Sequence, residues 1–206
     1  VHTWTNRPVW PQGMDAIFKR HNGVKRALHG KLEGGEISDK APDTLSWELW
    51  LGPSPVRPYD KIFLPFNWRG WLDWGTGSLG DMACHTMNLP YRALELDAPL
   101  SAEAEVSFLN PETYPEWGKV TYQFPARGDK PPVTWYWYDG NEWSPKHFAE
   151  RMKSSTSKVL GKSPAEIFGS GRPSGSGSLM IGTKGMMYST DDYGNDWRIL
   201  PEEAEK

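Results

Sequence analysis

From residue 102 to residue 200 the chain reads mostly as strand after strand, interrupted by one short helical stretch. That succession restricts it to an antiparallel or mostly antiparallel sheet. Residues 102–109 set Glu103 and Glu105 against Ala104, Val106 and Phe108, the period-2 mark of a half-buried strand. Residues 119–124 and 133–138 follow, the second as Trp135-Tyr136-Trp137-Tyr138 running into a turn at Asp139-Gly140, with 125–132 as the polar hairpin loop between them. Residues 178–181, Met186–Ser189 and Trp197–Leu200 supply the last short strands, and the acidic tail 202–206 is expected to fray. With a strand-like opening at Val1, the count reaches six or seven strands. The expected fold class is α+β: a mostly antiparallel open sheet with one central helix and small accessory helices on one face.

The central helix is read from Trp68-Arg69-Gly70-Trp71-Leu72-Asp73-Trp74-Gly75-Thr76-Gly77-Ser78-Leu79-Gly80-Asp81-Met82-Ala83-Cys84-His85. Gly75 and Gly77 mark a tight turn, and Leu79 onward reads as helix, ending near Asn88 because Pro90 cannot extend the hydrogen-bond ladder. Asp81 and His85 fall about 40° apart around the axis and roughly 6 Å along it, so they share one face. Ser78 and Asn88 lie on that stripe, and Leu79, Met82, Ala83 and Thr86 on the opposite one. Such a polar stripe has three uses. It can be a solvated face, an i,i+4 pair contributing only ~0.3–0.5 kcal/mol. It can ligate a metal, although two ligands with no third make a weak site, and no metal is assigned. It can also perform acid–base chemistry, with the carboxylate fixing the imidazole tautomer.

Elsewhere the chain is less informative. Pro8, Pro11, Pro42, Pro53, Pro55 and Pro58 break residues 8–60 into loops, with a short basic helix expected over 16–28. One or two helical turns are expected over 45–51, capped by Asp43 or Ser46. His21, His29 and His147 read as exposed, 145–154 as a short helix, and 155–177 as a low-complexity loop. The 206 residues suffice for one sizeable core, or one core plus a flap. A net charge of −3 offers no electrostatic case for nucleic acid or an anionic membrane, and no run approaches a membrane span. The single cysteine, Cys84, excludes an internal disulfide framework.

Trp68-Arg69 followed by Gly75-Thr76-Gly77-Ser78-Leu79-Gly80-Asp81-Met82-Ala83-Cys84-His85 resembles the signature of the Gfo/Idh/MocA oxidoreductases, with Thr76 and Ala83 standing where that family has glycine. The opening Val1-His2-Thr3-Trp4-Thr5-Asn6-Arg7-Pro8 resembles the first strand of the family's C-terminal domain. Residues 42–59, 124–129 and 182–185 resemble its bacterial branch. The resemblance implies a single substrate-binding and dimerising C-terminal domain over residues 1–206, with a loop-rich flap at about 8–66, a flexible loop at about 155–177, and the N-terminal Rossmann domain missing. The glycine-rich run 169–177 precedes a strand and lacks the G-x-G-x-x-G spacing, so it offers no pyrophosphate cradle.

By resemblance the substrate is a sugar or polyol, and the cofactor is NAD or NADP, bound mainly by the missing domain, so the chain alone is expected to be inactive. His85 is then the catalytic imidazole or its relay partner, and Asp81 orients it and holds a substrate hydroxyl. Trp68 and Arg69 border the sugar, and Asn6 and Arg7 either reach the cleft or shape a turn. Oxidation-assisted glycoside cleavage belongs to the same family's range. Homo-oligomerisation through a sheet face carrying Tyr122, Trp135 and Trp137 is expected, in a bacterial cytoplasm or periplasm. Twelve tryptophans keep a second class open, a non-catalytic carbohydrate-binding or scaffold domain whose indoles would form a planar solvent-facing row.

Overall fold

Seven strands form one sheet in the computed structural model, which describes residues 1–13, 40–140, 164–169 and 173–200. They are β1 (His2–Trp4), β2 (Ser101–Val106), β3 (Gly118–Phe124), β4 (Val133–Asp139), β5 (Gly177–Ile181), β6 (Met186–Ser189) and β7 (Trp197–Leu200). The order is β2-β3-β4-β1-β5-β6-β7, and every pairing is antiparallel except β1 with β4. The α+β class with a mostly antiparallel open sheet is therefore what the chain adopts. The helices are α1 (Trp47–Leu51), α2 (Gly77–Thr86), α3 (Asn88–Ala93) and α4 (Pro164–Phe168). The expected helices over 16–28 and 145–154, and the three histidines 21, 29 and 147, lie outside the described residues.

The chain divides into two compact units. One contains Val1–Arg7, Met82–Val106 and Trp117–Lys206; the other contains Pro8–Asp81 and Ser107–Glu116. The first unit holds the sheet. Because alternate strand residues face opposite ways, Trp135 and Trp137 lie on one face and Tyr136 and Tyr138 on the other. On the first face Leu96, Phe124 and Trp135 form a core with Met87, Leu94 and Tyr122. On the second, Trp4, Tyr138, Leu179 and Tyr188 pack with Ile167 and Phe168 of α4. Trp135 and Trp137 are both 0 % exposed, which corrects their expected place on an intersubunit face. Their indole N–H groups are satisfied internally, Trp135 donating to Thr3 Oγ1 at 2.9 Å and Trp137 to Asp139 Oδ2 at 2.7 Å.

Three further expectations change. Strand β2, the sheet edge pairing only with β3, is exposed over its first five residues instead of half-buried, because neither core that covers the sheet includes any of its residues. The loop expected over 155–177 contains α4, whose Ile167 is fully buried. The central helix α2 does end near Asn88, at Thr86, and what changes is that a second helix, α3, starts at Asn88 with Pro90 in its first turn. There a missing N–H costs nothing, and its carbonyl still accepts from Leu94 N–H at 3.0 Å. The 45–51 prediction survives as α1, with Ser46 at the N-cap but without a side-chain capping bond.

The sheet centre holds two titratable groups the sequence did not flag. His2 is buried, stacks on Tyr136 and Tyr138, and shares a 3.0 Å hydrogen bond between Nδ1 and the Tyr138 hydroxyl. Burial pushes its imidazole down to about 3. Burial pushes the Asp139 carboxyl up to about 7, against the Trp137 indole and Gly118 backbone N–H groups. The two act oppositely on stability. Between about pH 3 and 6.5 the unfolded chain protonates His2 and the native chain does not, so this contribution falls as pH is lowered. Asp139 binds its proton more tightly when folded, so its contribution falls as pH rises from about 3.8 to 7. Urea unfolding at pH 8 and pH 5 separates them: relative to His2→Gln, the native sequence should lose about 2 kcal/mol on acidification. Parallel behaviour of the two proteins would rule out a neutral, buried His2.

Candidate active site

In the second unit, an aromatic core of Ile62, Phe63 and Trp71 with Trp47, Trp50 and Trp74 supports the segment that carries Trp68 and Arg69. That segment is a 3₁₀ turn, Asn67–Gly70, closed by the Trp71 N–H donating to the Trp68 carbonyl at 3.1 Å. Arg57 braces the same core by pairing with Asp73 and Glu112 and lying over Phe63 and Trp74. The glycine turn then brings the chain back. A Cβ at Gly75 would strike the Arg69 carbonyl, so only glycine permits the two backbones to pass this closely. Gly77 has φ 62°, and a Cβ there would sit 2.7 Å from the Tyr114 ring. The Trp-Arg pair and the Gly-x-Gly turn therefore belong to one packing unit, which explains their spacing in sequence. Thr76, one of the two departures from the expected pattern, fills the space above Gly80 where a side chain would otherwise go.

This return places Asp81, one turn into α2, against Arg69. Arg69 Nε donates to Asp81 Oδ1 at 3.1 Å, and each side chain is 26 % exposed. A partly exposed pair of this kind contributes up to about 1 kcal/mol. Arg69 also donates to the Phe66 carbonyl at 3.3 Å, and its guanidinium lies 4.4 Å from the Phe66 ring centroid and 4.7 Å from that of Trp68, with Trp10 at 5.8 Å. The guanidinium is thus oriented by a carboxylate and three rings, while Trp68 remains 36 % exposed. Helical spacing puts Asp81 and His85 on one face, and the hydrogen bond described for the Asp81 carboxylate is with Arg69.

Helix α2 continues from Asp81 to His85, one turn further along. Its buried residues are Gly77, Ser78, Met82 and Thr86. Ser78, expected on the polar stripe, is a correction: it is buried and receives a 3.5 Å hydrogen bond from Gln12 Nε2. His85 is half-buried in the first unit, its ring edge-on to Tyr193 with centroids 5.1 Å apart. Tyr193 comes from the β6–β7 connection, where the Asp191 carboxylate gathers the backbone N–H groups of Tyr193, Gly194, Asn195 and Asp196. Desolvation pushes that carboxyl up, but the four donors outweigh it and hold it below the usual carboxylate range.

Asn6 and Arg7 follow β1 in the first unit. They bond to each other through Asn6 Oδ1 and an Arg7 guanidinium N–H, the Asn6 N–H reaches Ser176 Oγ at 3.4 Å, and the Arg7 carbonyl accepts from Gly140 N–H at 2.8 Å. Among the described residues no group of three or more His, Cys, Asp or Glu side chains comes together to hold a metal ion. No described helix is long and apolar enough to cross a membrane. Cys84 is exposed.

The fold is an α+β domain, and its second unit holds an arginine–carboxylate pair, Arg69 with Asp81. Residues 18–129, more than half the chain, match the family described as "Oxidoreductase family, C-terminal alpha/beta domain" of the Gfo/Idh/MocA group, and the chain belongs to that family. The comparison with curated proteins gives no match. Sequence reasoning missed Trp10, Phe66 and Tyr193. The aromatic partners of Arg69 carry no local signal, and the turn residues around Asp191 were the only hint that Tyr193 is held in place.

Proposed function

We propose that this domain grips a sugar or polyol for an oxidoreductase that moves hydride between that substrate and NAD or NADP. The observation that carries the reading is the Arg69–Asp81 pair, oriented beside Phe66, Trp68 and Trp10 within the family-matched segment. A guanidinium and a carboxylate offer donors and an acceptor to hydroxyls, and an indole face suits the C–H side of a pyranose or polyol. His85, a turn beyond Asp81, takes the hydroxyl proton as the alcohol is oxidised and returns it in the reverse direction. Bound nicotinamide supplies the hydride chemistry. The described residues do not fit that group: at the one glycine turn that opens a helix, Gly75 N–H donates to the Trp71 carbonyl and Gly77 packs against Tyr114. Its binding is therefore assigned outside them. Asn6 and Arg7 serve the turn after β1 in this reading, and any self-association through the sheet leaves Trp135 and Trp137 out.

The alternative, a carbohydrate-binding or scaffold domain, needs indoles free to stack on sugar. Trp4, Trp10, Trp71, Trp135 and Trp137 are buried, and Trp47, Trp50 and Trp74 pack against one another or the core, which favours the oxidoreductase reading. The intact enzyme supplied with NAD or NADP should change nicotinamide absorbance with at least one sugar or polyol in a broad screen. Saturable polysaccharide binding with no absorbance response to any substrate would transfer the assignment to the alternative.

A further inference from the structure

We propose that Tyr193 is a positioning residue for His85, its ring fixing the rotamer from which the imidazole exchanges protons with substrate. The inference rests on the reading of His85 as the proton-transfer group. Three features of the 190–196 connection carry it.

First, the loop is tied to its own root. Asp191 Oδ1 accepts from the Tyr193 and Gly194 N–H groups at 2.6 Å each, Asp191 Oδ2 accepts from Asp196 N–H at 2.9 Å, and Thr190 Oγ1 donates to Asp196 Oδ2 at 2.7 Å. Second, the loop is docked onto the helix that follows His85. Gly194 has φ 71° and lies so close to Leu89 that a Cβ would sit 3.0 Å from the Leu89 Cβ. Glycine is needed there for both the backbone conformation and the close approach. Third, the residue between these two anchors meets the His85 ring edge-on, with 71° between the ring planes. Tyr193 remains 65 % exposed, so it is not a core residue, and the ring contact described for it is with the imidazole. A hairpin loop knotted by a carboxylate and docked through a glycine thus places one aromatic edge against the one side chain that the chemistry requires to be still.

Two measurements test this. In the intact enzyme, Tyr193→Ala should lower kcat about tenfold with KM within about twofold, because the imidazole loses its orientation while the sugar contacts stay. Tyr193→Phe, which keeps the ring, should restore kcat to within about twofold. In ¹H–¹³C spectra of histidine-labelled protein, the His85 ring signal, assigned with His85→Gln, should move in Tyr193→Ala and hold its place in Tyr193→Phe. Unchanged turnover in Tyr193→Ala alongside an inactive His85→Ala would overturn the positioning role, as would a phenylalanine variant as impaired as the alanine one. Full turnover in His85→Ala would instead remove the proton-transfer reading, and the spectrum alone would then judge the contact: an unmoved His85 signal refutes it, and a selective shift upholds it.

Discussion

Replacing His85 by alanine in the intact enzyme is expected to lower kcat at least about a hundredfold, with a smaller change in KM. The physical reason is the proton. An alcohol cannot lose hydride from carbon at a useful rate unless its hydroxyl proton leaves in the same process, and a positioned imidazole supplies ~10²–10⁴-fold for such a transfer. In the proposed function the substrate grip is assigned to other side chains, above all Arg69 with Asp81 and the rings around them, so binding should persist in the variant. Steady-state kinetics on the substrate found by absorbance screening reads both parameters. Turnover retained within about threefold would remove His85 from the chemistry and leave the Arg69–Asp81 pair as a binding feature only.

The second large effect concerns the fold. Trp135→Ala should destabilise the domain by about 3–5 kcal/mol, because it deletes a fully buried indole from the face of β4 packed against Leu96 and Phe124. The loss includes the indole N–H donated to Thr3 Oγ1, which leaves a buried hydroxyl without that partner. Chemical denaturation at several protein concentrations provides the check. A loss independent of concentration places Trp135 in the core of its own chain. A loss that is large at high concentration and shrinks on dilution would return it to an interface between copies.

Much of the sheet could be read locally. Met186–Ser189 and Trp197–Leu200 match their strands residue for residue, and β3 and β4 each gain one residue, Gly118 and Asp139, at an end. Period-2 patterning is a property of neighbouring residues, so a short window contains it. The position of β1 is different. It lies between β4 and β5, pairing His2 with Tyr136 and with Leu179, and no local pattern records which distant strands receive an inserted one. Strand β2 shows the converse limit: its alternation is present, yet the residues stay exposed because burial depends on what covers a face. The site divides in the same way. Helical spacing alone puts Asp81 and His85 on one face, whereas the contacts of Arg69 with Asp81 and of Tyr193 with His85 join residues 12 and 108 positions apart.

By itself the amino-acid order determined the strand-rich character, the helix bearing Asp81 and His85, and membership signals strong enough to name an oxidoreductase family, because each is written in spacing of a few residues. Only the tertiary structure decided that Trp135 and Trp137 are core, that Ser78 is buried, that Gly75 must be glycine to admit the Arg69 backbone, and that a loop after β6 reaches His85. Those outcomes depend on which surfaces meet, and surfaces far apart in the chain meet only once it has folded.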